Sequence, residues 1–262
     1  MSAEVTYGRY LRIDELLSLQ ECESDGPEHD EMLFIVIHQV YELWFKEVLH
    51  ELDRFVAHLD EDHPTLGKHQ LERVLKIFKT LVGQLDVLET MTPLEFQSFR
   101  SFLDRASGFQ SAQFRELEFL LGAKTTDNLD RFSGNPREHA NLSRRYAEPT
   151  IWDAFLRHVS RHGYAIPATD LERDLTAPIV ESVEVQSVLV DVYRTDPPLA
   201  AICEALIDLD EGIQEWRYRH VMMVQRTIGS KMGTGGSSGA EYLRSTLFRP
   251  VFPDLWAIRA DF

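Results

Sequence analysis

The sequence predicts an all-α protein: a single-domain helical bundle spanning residues 1–262. Three observations carry that prediction. Apolar residues recur at three- and four-residue spacing over long stretches, helix start and stop signatures bracket those stretches, and no alternating strand pattern of any length occurs. No internal repeat at a fixed period is visible either.

The elements follow in order. Asp30 stands as an N-cap after the turn-like Ser24-Asp25-Gly26-Pro27, and an apolar pattern persists from there through Phe55 and Leu59 without Gly or Pro. The first half of this helix is apolar nearly all round, as in a bundle interior; the second half turns amphipathic, with His50, Glu51, Asp53 and Arg54 placed for solvent. A second long helix runs from Leu71 to Leu88 through Val74, Leu75, Phe78, Leu81, Val82 and Leu85. Thr92-Pro93-Leu94-Glu95 combines an N-cap, a proline at the first helical position and a capping-box glutamate, and starts a shorter helix that ends near Asp104. Ala106-Ser107-Gly108 breaks the pattern, and a fourth helix carries Phe114, Leu117, Leu120 and Leu121 up to Gly122. Residues 123–148 are polar with weak periodicity and read as irregular surface. Further helices are expected at Ile151 to Arg161 ended by Gly163, at Val180 to Tyr193, and at Leu199 to Ile228 ended by Gly229.

Bulk composition narrows the function. Hydrophobic residues make up 44% of the chain, enough to fill a core. Lys plus Arg number 27 against 43 Asp plus Glu, and the formal charge of -16 opposes both nucleic acid and anionic membranes. Two cysteines, Cys22 and Cys203, make no disulfide framework and suit the cytoplasm. The opening MSAEVTYGRYLRIDE has neither a basic n-region nor an apolar h-region, and no stretch approaches the ~20 apolar residues that cross a bilayer.

Several polar groups sit where burial is costly unless they find partners. In FIVIHQVYELWF, His38 shares a helical face with Phe34, Tyr41, Glu42 and Phe45; it is either a core histidine satisfied by Glu42 or a carbonyl, or a residue lining an apolar ligand pocket with Phe34 as stacking surface. His220, with Trp216, Met223 and Val224 on its face, is either a core residue or a neutral imidazole of the kind that ligates haem iron. Arg100, among Phe96, Phe99 and Leu103, is a structural ion pair or a clamp for a ligand carboxylate. The segment Gly233-Thr234-Gly235-Gly236-Ser237-Ser238-Gly239 lacks the Lys-Ser or Lys-Thr pair and the preceding strand of a phosphate loop, which leaves a linker or a substrate-closing lid. His158 and His162 have metal-chelating i, i+4 spacing, but Arg157 and Arg161 flank them at a helix C-terminus, which favours a solvated cationic end. Asp60-Glu61-Asp62-His63 reads as solvated loop.

Together, HDEMLFIVIHQVYELWFKE, FRSFLDRASGFQSAQFRELE, EWRYRHVMMVQRTIGSKMGTGGSSG and the early YGRYL, in this order and spacing, resemble the tryptophan 2,3-dioxygenase family from about Tyr7 to Phe252, most weakly in 123–150 and 168–200. The resemblance implies an indoleamine/tryptophan dioxygenase-like fold holding haem b, ferrous in the active state, in a homotetramer that adds O2 across the indole C2–C3 bond of L-tryptophan. By position, His220 matches the axial iron ligand and His38 the catalytic residue facing the indole N–H. Phe34 matches an aromatic wall, Arg100 the carboxylate clamp, and Thr234 the group meeting the ammonium and carboxylate. Tyr7, Tyr10 and Leu11, within an N-terminal segment of residues 1–20, match residues that reach a neighbouring subunit's pocket; Ser107 and Gly108 match a loop beside the haem. Phe96 stands where some bacterial members carry a carboxylate-binding tyrosine, and losing one hydrogen bond to a charged group is worth ~1.5–3 kcal/mol at most. Two rivals stay open: action on a substituted tryptophan or single-oxygen insertion to a 2-oxindole, and a non-catalytic haem sensor, against which the intact Arg100 and Thr234 argue.

Overall fold

The computed structural model describes residues 4–26, 28–104, 106–233 and 240–262, the side chain of Tyr242 excepted. In chain order the helices are α1 (Tyr7–Leu11), α2 (Ile13–Leu16), α3 (His29–Asp60), α4 (Pro64–Leu88), α5 (Pro93–Arg100), α6 (Ala112–Leu120), α7 (Thr126–Asp130), α8 (Pro136–Ala147), α9 (Ile151–Arg161), α10 (Ala168–Leu171), α11 (Val183–Thr195), α12 (Pro197–Ile228), α13 (Ala240–Arg244) and α14 (Pro253–Ala257). Short 3₁₀ turns cover Ser101–Leu103, Gly108–Gln110 and Ile258–Asp261, and no strand occurs among the described residues.

Three long helices make the frame. α3 and α4 form a hairpin through residues 61–63, and α12 packs along α4. Their shared seam holds Leu52, Phe55, Leu71, Phe78, Leu81 and Leu206, each at most 2% exposed, and each such burial contributes roughly 1.5–3 kcal/mol. α9 covers α3 with Phe155, and α11 covers α12 with Leu189. Gly67 permits the close crossing of the hairpin, because a Cβ there would stand 3.0 Å from Phe55 Cδ2. Gly229 at φ +61° ends α12, as its position after Ile228 predicts.

Local chemistry explains the boundaries. The N-cap of α3 is Glu28 and not Asp30; Asp30 lies in the first turn, where it meets the positive end of the helix dipole. Its neighbour Glu31 is buried and accepts from the backbone N–H groups of Glu23 (2.7 Å) and Ser24 (3.2 Å), fastening the preceding turn. Thr92 and Glu95 form the expected capping box on α5. α4 starts at Pro64, seven residues ahead of the apolar spacing, since a proline at the first position needs no donor partner.

Three further expectations are corrected. Residues 123–148 are not irregular: they contain α7 and α8, and α8 is held by Arg145, 7% exposed, whose guanidinium forks onto the Asp53 carboxylate at 2.7 and 2.8 Å. A helix held by ion pairs carries little apolar periodicity. Glu51 is buried and paired with Arg73, so the second half of α3 is less solvated than its polarity implies. His158 is fully buried at the end of α9, and the acidic turn after α3 folds against it.

At the C-terminal end, Asp210 is 0% exposed. It accepts from the N–H groups of Val251 (2.8 Å), Phe252 (3.1 Å) and Trp256 Nε1 (3.0 Å), pinning the chain end to the middle of α12. No helix of the described residues is long and apolar enough to cross a membrane.

Candidate active site

A cavity of ≈ 260 Å³ opens between α3, α5, the Ser107 turn, α6 and the last turns of α12. Phe34 and His38 of α3, Phe96 and Arg100 of α5, Ser107, Gly108 and His220 all line it. Residues nearly 190 positions apart in sequence therefore share one space because α3 and α12 both pack on α4.

His38 is open to the cavity while being surrounded by protein, and burial lowers its pKa, partly offset by the Phe34 carbonyl and Glu42. Its Nδ1 lies 2.7 Å from the Phe34 carbonyl oxygen. A carbonyl can only accept, so Nδ1 carries the proton and Nε2 keeps a free lone pair. The Phe34 ring lies 4.1 Å from the imidazole, and Phe34, Phe96 and Phe99 contact one another at 5.4–5.8 Å to make an aromatic wall.

His220 sits across the cavity in apolar surroundings. Desolvation, with a contribution from His38, pushes its pKa down to about 4, so the ring is neutral at physiological pH. It makes no hydrogen bond to any described residue. Trp216, one turn earlier, stacks on it at 5.3 Å with an interplanar angle of 4°, which fixes the plane of the imidazole. Such a ring can donate an unshared pair to a metal.

Arg100 donates to the carbonyl of Met232 and makes no ion pair with a described residue. Thr234 lies outside the described residues, though Gly233 just before it lines the cavity. Ser107 accepts from the Phe109 N–H at 3.4 Å to cap the Gly108 turn, and a Cβ built on Gly108 would meet nothing within 4 Å. Tyr7, Tyr10 and Leu11 are 77%, 75% and 42% exposed and do not line the cavity of their own chain.

The sequence reading missed a charged corner of the same space. Arg115 and Arg217 are buried in the cavity wall and both meet Glu118, Arg217 at 3.7 Å. Arg115 Nε has no hydrogen-bond partner among the described residues. On the sequence, Arg115 and Glu118 look like an ordinary i, i+3 surface pair, and only the aromatic Phe114 beside them hinted at burial.

Fold and site together define a helical protein with an aromatic cavity lined by two imidazoles, His38 and His220, and by the guanidinium of Arg100. The family model described as Tryptophan 2,3-dioxygenase matches residues 1–148 and 172–261. The tryptophan 2,3-dioxygenase of Herpetosiphon aurantiacus is 58% identical over 261 residues, covering all of both chains. That of Anaeromyxobacter sp. (strain K) is 54% identical over 98% of this chain and 96% of its own, and that of Myxococcus xanthus is 42% identical over 100% and 91%. The chain belongs to the tryptophan 2,3-dioxygenase family and is an oxidoreductase.

Proposed function

We propose that this protein adds both atoms of O2 across the C2–C3 bond of the indole of L-tryptophan, giving N-formylkynurenine, with haem b as the cofactor that the cavity would hold and His220 as the residue that would bind its iron. The observation that carries the reading is the pair of neutral imidazoles facing one aromatic cavity, one with no hydrogen bond and the other with its acceptor nitrogen turned inward. The cavity fits the cofactor: Gly108 leaves open space at its wall, and the unpartnered Arg115 Nε offers a buried donor to a propionate. Bound there, ferrous haem supplies the O2 activation that no side chain can provide.

The side chains do the binding and positioning. Trp216 holds the His220 ring in one plane, so its lone pair is directed before a metal arrives. His38 Nε2 accepts the indole N–H; it orients the ring and does not deprotonate it, because an indole N–H is a far weaker acid than an imidazolium. Phe34 stacks on the indole, and Phe96 closes the wall without a hydroxyl to help the carboxylate. Arg100 exchanges the Met232 carbonyl for the carboxylate of the amino acid, and Thr234 meets its ammonium and carboxylate. The apolar lining excludes water from the reacting atoms. Tyr7, Tyr10 and Leu11, exposed in one chain, reach into a neighbouring subunit's cavity in a homotetramer, and the protein works in the cytoplasm.

The reading is tested by mixing reduced, haem-loaded protein with L-tryptophan and ¹⁸O-labelled O2. Formylkynurenine absorbance with two labels in the product is the expected result. One label, or product only from a substituted tryptophan, overturns it.

A further inference from the structure

We propose that Asp62, His158 and His162 form a binding site for a divalent cation of the zinc class, remote from the cavity and independent of the reading above. The three side chains come from two elements, the turn after α3 and the C-terminal turn of α9, and their ligand atoms lie within 4.8 Å of one another. Asp62 Oδ1 stands 3.5 Å from His162 Nε2 and 3.7 Å from His158 Nδ1. Tetrahedral ligands at ~2.0–2.1 Å from zinc are about 3.4 Å apart, so two edges of the triangle are already within a few tenths of an ångström of that spacing. Two imidazoles and one carboxylate favour zinc over the oxygen-seeking magnesium and calcium.

The rings are prepared for this. His162 Nδ1 donates to the His158 carbonyl at 3.0 Å, which leaves Nε2 as a lone-pair donor aimed at Asp62, the outer-shell arrangement that orients metal-bound histidines. The two rings lie 4.3 Å apart, and His158 is 0% exposed. His158 Nδ1 now shares the Leu59 carbonyl (3.2 Å) with Arg161 Nη2 (2.6 Å), so that carbonyl keeps a partner when the imidazole turns to a cation. The His158 proton then moves to Nε2, which is buried and has no partner, a cost that keeps this site weaker than cysteine-rich zinc sites. Asp62 adopts φ +61°, in the left-handed region that aspartate enters more readily than most side-chain-bearing residues, within the turn between α3 and α4.

The arginines that argue against a metal on sequence grounds share the Asp60 carboxylate, and Arg161, which stays beside His158 on the Leu59 carbonyl, has its charge partly balanced there. Arg157 and Arg161 lie 3.6 and 3.7 Å from Asp60 Oδ1. The Asp62 side chain is 65% exposed, which leaves room for water to complete the coordination. Both histidines fall between the two segments that the family model matches. A cation here would tie the α3–α4 turn to the end of α9.

The test titrates zinc chloride into the chelator-treated, full-length, haem-loaded protein by calorimetry and follows Tm in parallel. One equivalent per chain is expected at this site, with a rise in Tm. Asp62→Asn and His162→Gln, both at accessible positions and both distant from the cavity, should each weaken that binding at least ~10-fold and remove the rise in Tm. His158→Gln serves only as a supporting variant, because its site is buried. No zinc binding by the parent protein, or a weakening under tenfold in the two accessible variants, overturns the proposal.

Discussion

The two ends of α3 put the same side chain to opposite uses. At the cavity end, the imidazole of His220 shares the cavity with His38, stacks on Trp216 and makes no hydrogen bond to a described residue. Roughly 33 Å away at 1.5 Å per residue, beyond Asp60, His158 is also buried and also shifted down in pKa by desolvation, yet it is wedged against a carbonyl, a second imidazole and a carboxylate. Burial disfavours the charged form of both rings. What differs is the space beside each ring: an open cavity at His220, and fixed polar neighbours at His158. Histidine identity and depressed pKa therefore do not by themselves assign a role; the shape and polarity of the adjoining space separate the two rings.

The largest effect should separate these rings outright. His220→Ala is expected to abolish haem binding, read as loss of the Soret band and of turnover, whereas His158→Ala in any folded preparation should keep both; the reverse outcome destroys the comparison. Arg100→Ala comes next. Losing a charged hydrogen-bonding partner of ~1.5–3 kcal/mol should raise KM for L-tryptophan by about 10- to 150-fold while changing kcat less, and an unchanged KM would remove Arg100 from the clamp. His38→Ala should lower kcat/KM by about 3- to 10-fold through loss of one neutral hydrogen bond, with the haem spectrum retained. A smaller effect appears only at alkaline pH. Tyr41, buried beside the cavity and donating to the Leu81 carbonyl, is pushed up to about 12 by desolvation. Its folded-state pKa exceeds the ordinary value near 10, so its stabilising contribution is complete below pH 10 and is lost as pH rises toward 12, by up to about 2–3 kcal/mol. Denaturation of Tyr41→Phe between pH 9 and 11.5 should show a shallower decline than the parent; an identical slope would place the titration elsewhere.

Much of this was legible in the sequence, for identifiable reasons. Long helices with apolar seams announce themselves by spacing, and Thr92-Pro93-Leu94-Glu95 fixed the start of α5 through capping chemistry alone. The cavity residues His38, Phe34, Arg100 and His220 were legible as polar or aromatic groups set into apolar faces. α8 was not, because Arg145 and Asp53 hold it across ninety residues of sequence and leave no periodic trace; its local signal was the Asn135 cap followed by Pro136 and Glu138. Arg115 and Glu118 went unnoticed for the same reason: a salt bridge looks alike on paper whether water or a cavity surrounds it. The turn after α3 reads as solvated and is exposed, but nothing local says that the buried His158 of a distant helix end lies against it.

The single carboxylate of Asp210, satisfied by three donors from residues 251 to 256, has a practical corollary for anyone handling the protein. Trimming the chain before Val251 would strand an anion inside the bundle, and the result should be insoluble material instead of a shortened enzyme. Affinity handles and fluorescent fusions should therefore be appended after Phe262, leaving the last dozen residues intact.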